Sequence, residues 1–174
     1  MSSWQQIGSD IDGEGVNDDS GWSIGLSSDG SVVAIGAPKN DANGTDSGHV
    51  RIYQNNSGTW QQIGSDIDGE ASNDRSGTSI SLSSDGSVVA IGAVYNDGNG
   101  SNSGHVRIYQ NNSGTWQQIG SDIDGEAEGD QSDRWGGCVS LSSDGSVVAI
   151  GSTNNDGNGA ESGHVRIYQN NSGT

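Results

Sequence analysis

The strongest constraint on this chain is that it repeats itself almost letter for letter. The segment "SGHVRIYQNNSGTWQQIGSDIDGE" runs from Ser47 to Glu70, is spelled again from Ser103 to Glu126, and begins a third time at Ser162. Trp4, Trp60 and Trp116 are 56 residues apart, as are His49 and His105, whereas His164 follows His105 by 59. Three added residues therefore lie in the third copy, between Glu126 and Leu141. Cut before each Trp, the chain is one repeat domain over 1–174 made of units 4–59, 60–115 and 116–174. Such fidelity implies recent duplication or deliberate engineering.

A period near 56 residues suits four strands plus their loops. In the second unit the runs "TSISLSS", "SVVAIGA", "HVRIYQ" and "WQQIGSDI" read as strands, because β-branched residues alternate between clusters of Gly, Asn, Asp and Ser. Asp85-Gly86 predicts a type I′ hairpin, whose central residues both need positive φ. Composition pulls the other way, since Ile, Leu and Val make up under a fifth of the chain, Phe is absent and the net charge is −17. Taken alone, those numbers describe disorder. The strand periodicity decides for an all-β protein with thin apolar layers.

Acids outnumber bases 23 to 6. Phosphate recognition needs clustered Lys and Arg, so nucleic acid is not an expected partner. No apolar run approaches the ~18 residues of a membrane span, so no membrane insertion is expected. "MSSWQQ" lacks the basic and apolar regions of a signal peptide, which fits a cytosolic protein or a piece cut from a longer secreted one. Cys138 is the only cysteine, which excludes an intrachain disulfide and a Cys-based zinc site.

Each unit resembles the FG-GAP repeat of integrin-α-like β-propellers. The resemblance rests on "SxxLSSDG", on Gly36-Ala37-Pro38, on an acidic loop and on the aromatic after "GHVRI". The tripeptide drifts to Gly92-Ala93-Val94 and Gly151-Ser152-Thr153, and Ser20, Ser76 and Trp135 stand where the family has Phe. The resemblance implies β-propeller blades, three four-stranded antiparallel blades per chain, and extracellular or cell-surface adhesion proteins as relatives. A β-trefoil, with shorter units, is the rival fold.

Three blades are too few for a ring, since propellers carry about 4 to 8. The order of the strands suggests how a ring closes. The chain opens on an outer strand, Trp4–Ile11, and ends on the third-strand edge, His164–Gln169. An exposed edge is a template for pairing. The expectation is a homodimer in which each outer strand completes the last blade of its partner, giving six blades; nine blades from three chains is the alternative.

Candidate chemistry is sparse. Carboxylates recur at constant spacing as Asp10, Asp12, Glu14 and Asp18; Asp66, Asp68, Glu70 and Asp74; and Asp122, Asp124, Glu126 and Asp130. One reading is a Ca²⁺ loop, because hard cations take six to eight oxygens. The other is capping of turns by Asp and Glu. The Asp41, Asp97 and Asp156 loops offer amides to a glycan or a protein ligand, which with Ca²⁺ defines a lectin-like alternative. His49, His105 and His164 each precede Val-Arg-Ile-Tyr; a structural hydrogen bond is expected of the His, and an acidic partner of Arg51, Arg107 and Arg166. No nucleophile elbow or phosphate loop is present, and apart from Ca²⁺ no cofactor is implied. The expected function is a non-enzymatic, self-assembling scaffold or binding module.

Overall fold

The computed structural model describes residues 1, 3–126, 138–153 and 155–171. Every regular element among them is a strand, and every strand pairs antiparallel with its neighbours. The first sheet holds β1 (Ser23–Leu26), β2 (Val32–Ala37), β3 (His49–Asn56), β4 (Thr59–Gln62) and β5 (Ile67–Asp68). The second holds β6 (Ser76–Leu82), β7 (Val88–Ala93), β8 (His105–Asn112), β9 (Thr115–Gln118) and β10 (Ile123–Asp124). The third holds β11 (Cys138–Leu141), β12 (Val147–Ser152) and β13 (His164–Gln169). Each sheet is a meander in sequence order.

The outer strand expected over 116–123 arrives in two pieces. β9 pairs Gln118 with Tyr109 and β10 pairs Ile123 with Val106, so two extra residues sit between them on the outer side. That is a bulge, which bends a strand and re-aims its side chains. Asp122 lies in it, and Asp66 lies at the same place between β4 and β5.

Turn chemistry differs from the sequence expectation. Gly86 has φ of 71°, whereas Asp85 is not among the residues with positive φ, so the β6–β7 hairpin is not type I′. Gly86 N donates to Ser83 O at 3.0 Å, and the Asp85 carboxylate accepts from Ser83 Oγ, Ser87 N and Ser87 Oγ. An Asp that binds its own loop does not need the left-handed conformation. The primed turn is instead at Ser113-Gly114, φ 51° and 89°, and its counterpart at Ser57-Gly58, where each outer hairpin closes over two residues.

The apolar layers lie between sheets. Val32, Ala34, Val50 and Ile52 leave one face of the first sheet and meet Val89, Ile91 and Tyr109 of the second. Ala90 and Val106, on the opposite face of the second, meet Val148 and Ile150 of the third. Strand alternation makes this possible, because successive residues point to opposite faces. β1 lies beside β6 and β6 beside β11, so the first strands form the inner side of the stack. Their turns are linked in series, Ser28 N to Ser84 O at 2.9 Å and Ser84 N to Ser143 O at 2.8 Å.

Two expected outcomes follow. Ile91 is 1 % exposed between two sheets, so Ile91→Ala lowers unfolding free energy by about 2–5 kcal/mol in urea titration. The hydroxyls and amides around Asp29 and Asp144 hold both carboxyls down at about 2, and those around Asp85 act in the same direction. Their stabilisation is complete above the unfolded value near 3.8 and is lost as pH falls towards 2. Replacing all three by Asn therefore flattens the fall of the urea midpoint between pH 4 and pH 2.

Candidate functional site

The segment Asp66-Ile67-Asp68-Gly69-Glu70 joins the outer strand of one sheet to the start of the next, and its two acidic ends serve different sheets. Asp66 Oδ2 lies 3.7 Å from His49 Nδ1 on β3 of the first sheet. Glu70 crosses to the second, with Oε2 at 3.8 Å from His105 Nδ1 and Oε1 at 3.3 Å from Arg107. Gly69 makes the crossing possible. Its N donates to Gly48 O at 2.7 Å, and a Cβ there would stand 2.0 Å from Ser47 O.

The same arrangement occurs once before and once after. Glu14 reaches His49 Nδ1 at 4.0 Å and Arg51 at 3.3 Å, while Asp122 lies 3.8 Å from His105 Nδ1. Two clusters result, Glu14–His49–Asp66 and Glu70–His105–Asp122, each with its three ligand atoms within 4.8 Å of one another. In the third unit Glu126 lies 3.8 Å from His164 and pairs with Arg166. The carboxylates of the first two clusters are partly open to solvent, whereas the His and Arg side chains are buried.

Each Asp is set in place locally. Gln62 Nε2 donates to Asp66 Oδ1 and Gln118 Nε2 to Asp122 Oδ1, both at 2.6 Å, which leaves Oδ2 of each facing a histidine. The N-terminal segment carries the same feature, Gln6 Nε2 to Asp10 Oδ1 at 2.9 Å. Each Arg donates to a backbone carbonyl as well, Arg51 to Asp12 O and Arg107 to Asp68 O. Burial, with the Arg107 charge added, pulls His105 down to about 4 against a smaller upward pull from Asp122. At neutral pH its imidazole is uncharged.

At Nδ1, His49 and His105 do not make the hydrogen bond expected from sequence. Nδ1 of His49 and of His105 is buried without a hydrogen-bond partner. The carboxylates at 3.7 to 4.0 Å are beyond hydrogen-bonding range. The arginines do find acidic partners, Glu14 and Glu70, each in the segment that leads into the arginine's own sheet.

The spaced carboxylates do not converge as single loops. Asp18 Oδ2 accepts from Gly15 N and from Asn40 Nδ2, and Asp74 Oδ2 from Ala71 N and Asn96 Nδ2, so these buried acids cap and tie loops. Asp12, Asp68 and Asp124 belong to neither His cluster. Asp130 and Trp135 lie outside the described residues. Asp41, Asp97 and Asp156 accept from backbone N–H groups five residues on, at Asp46, Asn102 and Glu161, and so close their own loops. Sequence spacing missed the clusters because their members come from three separate segments, and the bulge that re-aims Asp66 has no local signature beyond Gly64.

Antiparallel meanders of three to five strands, side by side with first strands innermost, give the described residues a propeller-like all-β fold. Residues 66–109 match the family model described as FG-GAP repeat, and that stretch is similar to one such repeat. No curated protein is similar to it in sequence. Among solved structures it is similar to a putative 6-phosphogluconolactonase from Bacteroides uniformis ATCC 8492, at 14 % identity and a TM-score of 0.56. That likeness covers 87 % of this chain and 38 % of the other, and it concerns the propeller-like fold alone.

Gly69→Ala tests the crossing. The backbone carbonyl it would strike cannot swing aside as a side chain does, so about 1–3 kcal/mol of stability is lost. Chemical denaturation measures it, with Gly21→Ala, where an added Cβ meets nothing within 4 Å but φ is +91°, as the control for backbone strain alone.

Proposed function

We propose that the chain is a non-enzymatic scaffold module whose two end faces join it head to tail to a second copy, closing six blades from two chains. The observation that carries this reading is a matched pair of exposed apolar faces. Val165 and Ile167 on the third sheet are 67 % and 71 % exposed, while their equivalents Val50 and Ile52 are 0 % and 1 % exposed between sheets. At the other end Ile24 and Leu26 are exposed, whereas Ile80 and Leu82 pack into the first apolar layer. Each end thus presents what the other end buries inside the chain.

The N-terminal segment supports the same occupant. Trp60 Nε1 donates to Ile7 O and Trp116 Nε1 to Ile63 O, both at 2.9 Å, so 4–11 lies on the first sheet as the preceding outer strand would. Ile11 packs against Val33, Ile35 and Tyr53. Trp4 itself is fully exposed, and among the described residues β13 has no partner on its far edge. A second copy would set Trp4 over Ile119, in the cleft walled by Gly120, Ile123 and Tyr168. Six is the multiple of three within the usual propeller range.

Light scattering is expected to give twice the 17.8 kDa of one chain. Ile167→Asp and Ile24→Asp each place a charge in the seam and are expected to halve that mass while the β-sheet circular dichroism persists. A wild-type chain that remains single at tens of micromolar overturns the reading.

A further inference from the structure

The two complete clusters share one unexplained feature. In each, an imidazole nitrogen at 1 % side-chain exposure has no hydrogen-bond partner and faces two carboxylate oxygens at 3.7 to 4.0 Å. An orphaned buried nitrogen is destabilising, and here it occurs at the same place in two units. Two carboxylates converge on the same nitrogen, and a cation held among the three groups would give that nitrogen its partner.

We propose that Glu14–His49–Asp66 and Glu70–His105–Asp122 are binding sites for a divalent cation of the zinc class. Tetrahedral metal–ligand bonds of about 2.0–2.2 Å put two ligand atoms roughly 3.3 to 3.6 Å apart. The His-to-carboxylate separations of 3.7 to 4.0 Å lie a few tenths of an ångström (~0.1–0.4 Å) beyond that range. The widest separation in either cluster is bounded at 4.8 Å, and the part-exposed carboxylates can close the difference. An imidazole nitrogen suits Zn²⁺, Co²⁺ or Ni²⁺ and not the all-oxygen preference of Ca²⁺. One His and two carboxylates leave at least one position open to water or to a ligand from solvent.

The site spans a junction. Asp66 and His49 belong to one sheet, and Glu14 enters from the segment before it. In the third unit Glu126 and His164 supply the first two members. The third member, resting on the head-to-tail reading above, is Asp10 of the second copy, already held by Gln6 as Asp66 is held by Gln62. The ion would then pin the outer strand of one chain to the last sheet of another, and two chains would hold six ions.

Equilibrium dialysis of the full chain against Co²⁺, with its visible absorption read in parallel, tests this. The expected result is three ions per chain in the two-chain assembly, a ligand-field band typical of nitrogen and oxygen donors, and displacement by Zn²⁺. Asp66→Asn and Asp122→Asn each weaken one site by at least about 10–100-fold, the loss that even an outer-shell partner causes. Asp10→Asn lowers the count from three to two with the native mass unchanged. Circular dichroism confirms that each variant is folded, and His105→Gln provides a second probe of the same site. No Co²⁺ uptake at millimolar concentration overturns the proposal, as does uptake that the Asp66 and Asp122 variants leave unchanged. Displacement by Ca²⁺ as readily as by Zn²⁺ overturns the donor assignment. Two ions per chain with a silent Asp10→Asn keeps the two clusters and overturns the shared third site, and the head-to-tail reading falls with it only when the native mass is that of one chain.

Discussion

Everything in this molecule depends on packing between sheets, because no single sheet owns enough apolar surface to bury a core of its own. Each carries apolar residues on both faces in alternation, Val89 and Ile91 towards the first sheet and Ala90 and Val106 towards the third. At about 25 cal/mol per Å² of apolar area buried, small side chains contribute only when both faces are covered. Low aliphatic content is thereby reconciled with order: the residues are few, but the strands are thin and the middle sheet buries apolar side chains on both of its faces. The same requirement makes the ends of the stack the weak points, since there a face is made and not covered.

The polar framework follows from the layered plan. Loops at one rim are tied within a unit by buried Asp and Asn, Asp18 with Asn40 and Asp74 with Asn96, and to the next unit by Asn43 and Asn99, which donate to Gly69 O and Gly125 O. At the inner side the hairpin turns bond to one another through Ser28, Ser84 and Ser143. Between rim and axis, the Asp-Ile-Asp-Gly-Glu segment places one carboxylate in its own sheet and one in the following sheet. Packing supplies the energy here, and these polar ties supply the angle.

Much of this was legible in the sequence. The period of 56 residues, the β-branched runs and the turn clusters place most strands correctly, because alternation and turn residues act locally. Asp-Gly at the β6–β7 turn is compatible with two hairpin types, and the Asp85 carboxylate binding Ser83 and Ser87 makes the choice. The site was harder. Arg51 and Arg107 do meet acids, as charge alone suggests, but the approach of Glu14, His49 and Asp66 depends on a bulge and on a glycine crossing between sheets. Asp18 and Asp74 share the spacing of the other carboxylates and serve a different purpose, which no spacing rule can separate.

The turn-to-turn series at the inner side runs in one sense only, each serine N–H pointing to the carbonyl of the following unit. Faces joined by a one-way series are unlike each other, so like cannot meet like in a mirror-fashion dimer. Growth by such contacts has two endings, a closed circle or an open fibre. Which of them prevails is set by the angle between adjacent sheets, and a change of a few degrees at one layer, multiplied around the circumference, is enough to turn a ring into a spiral.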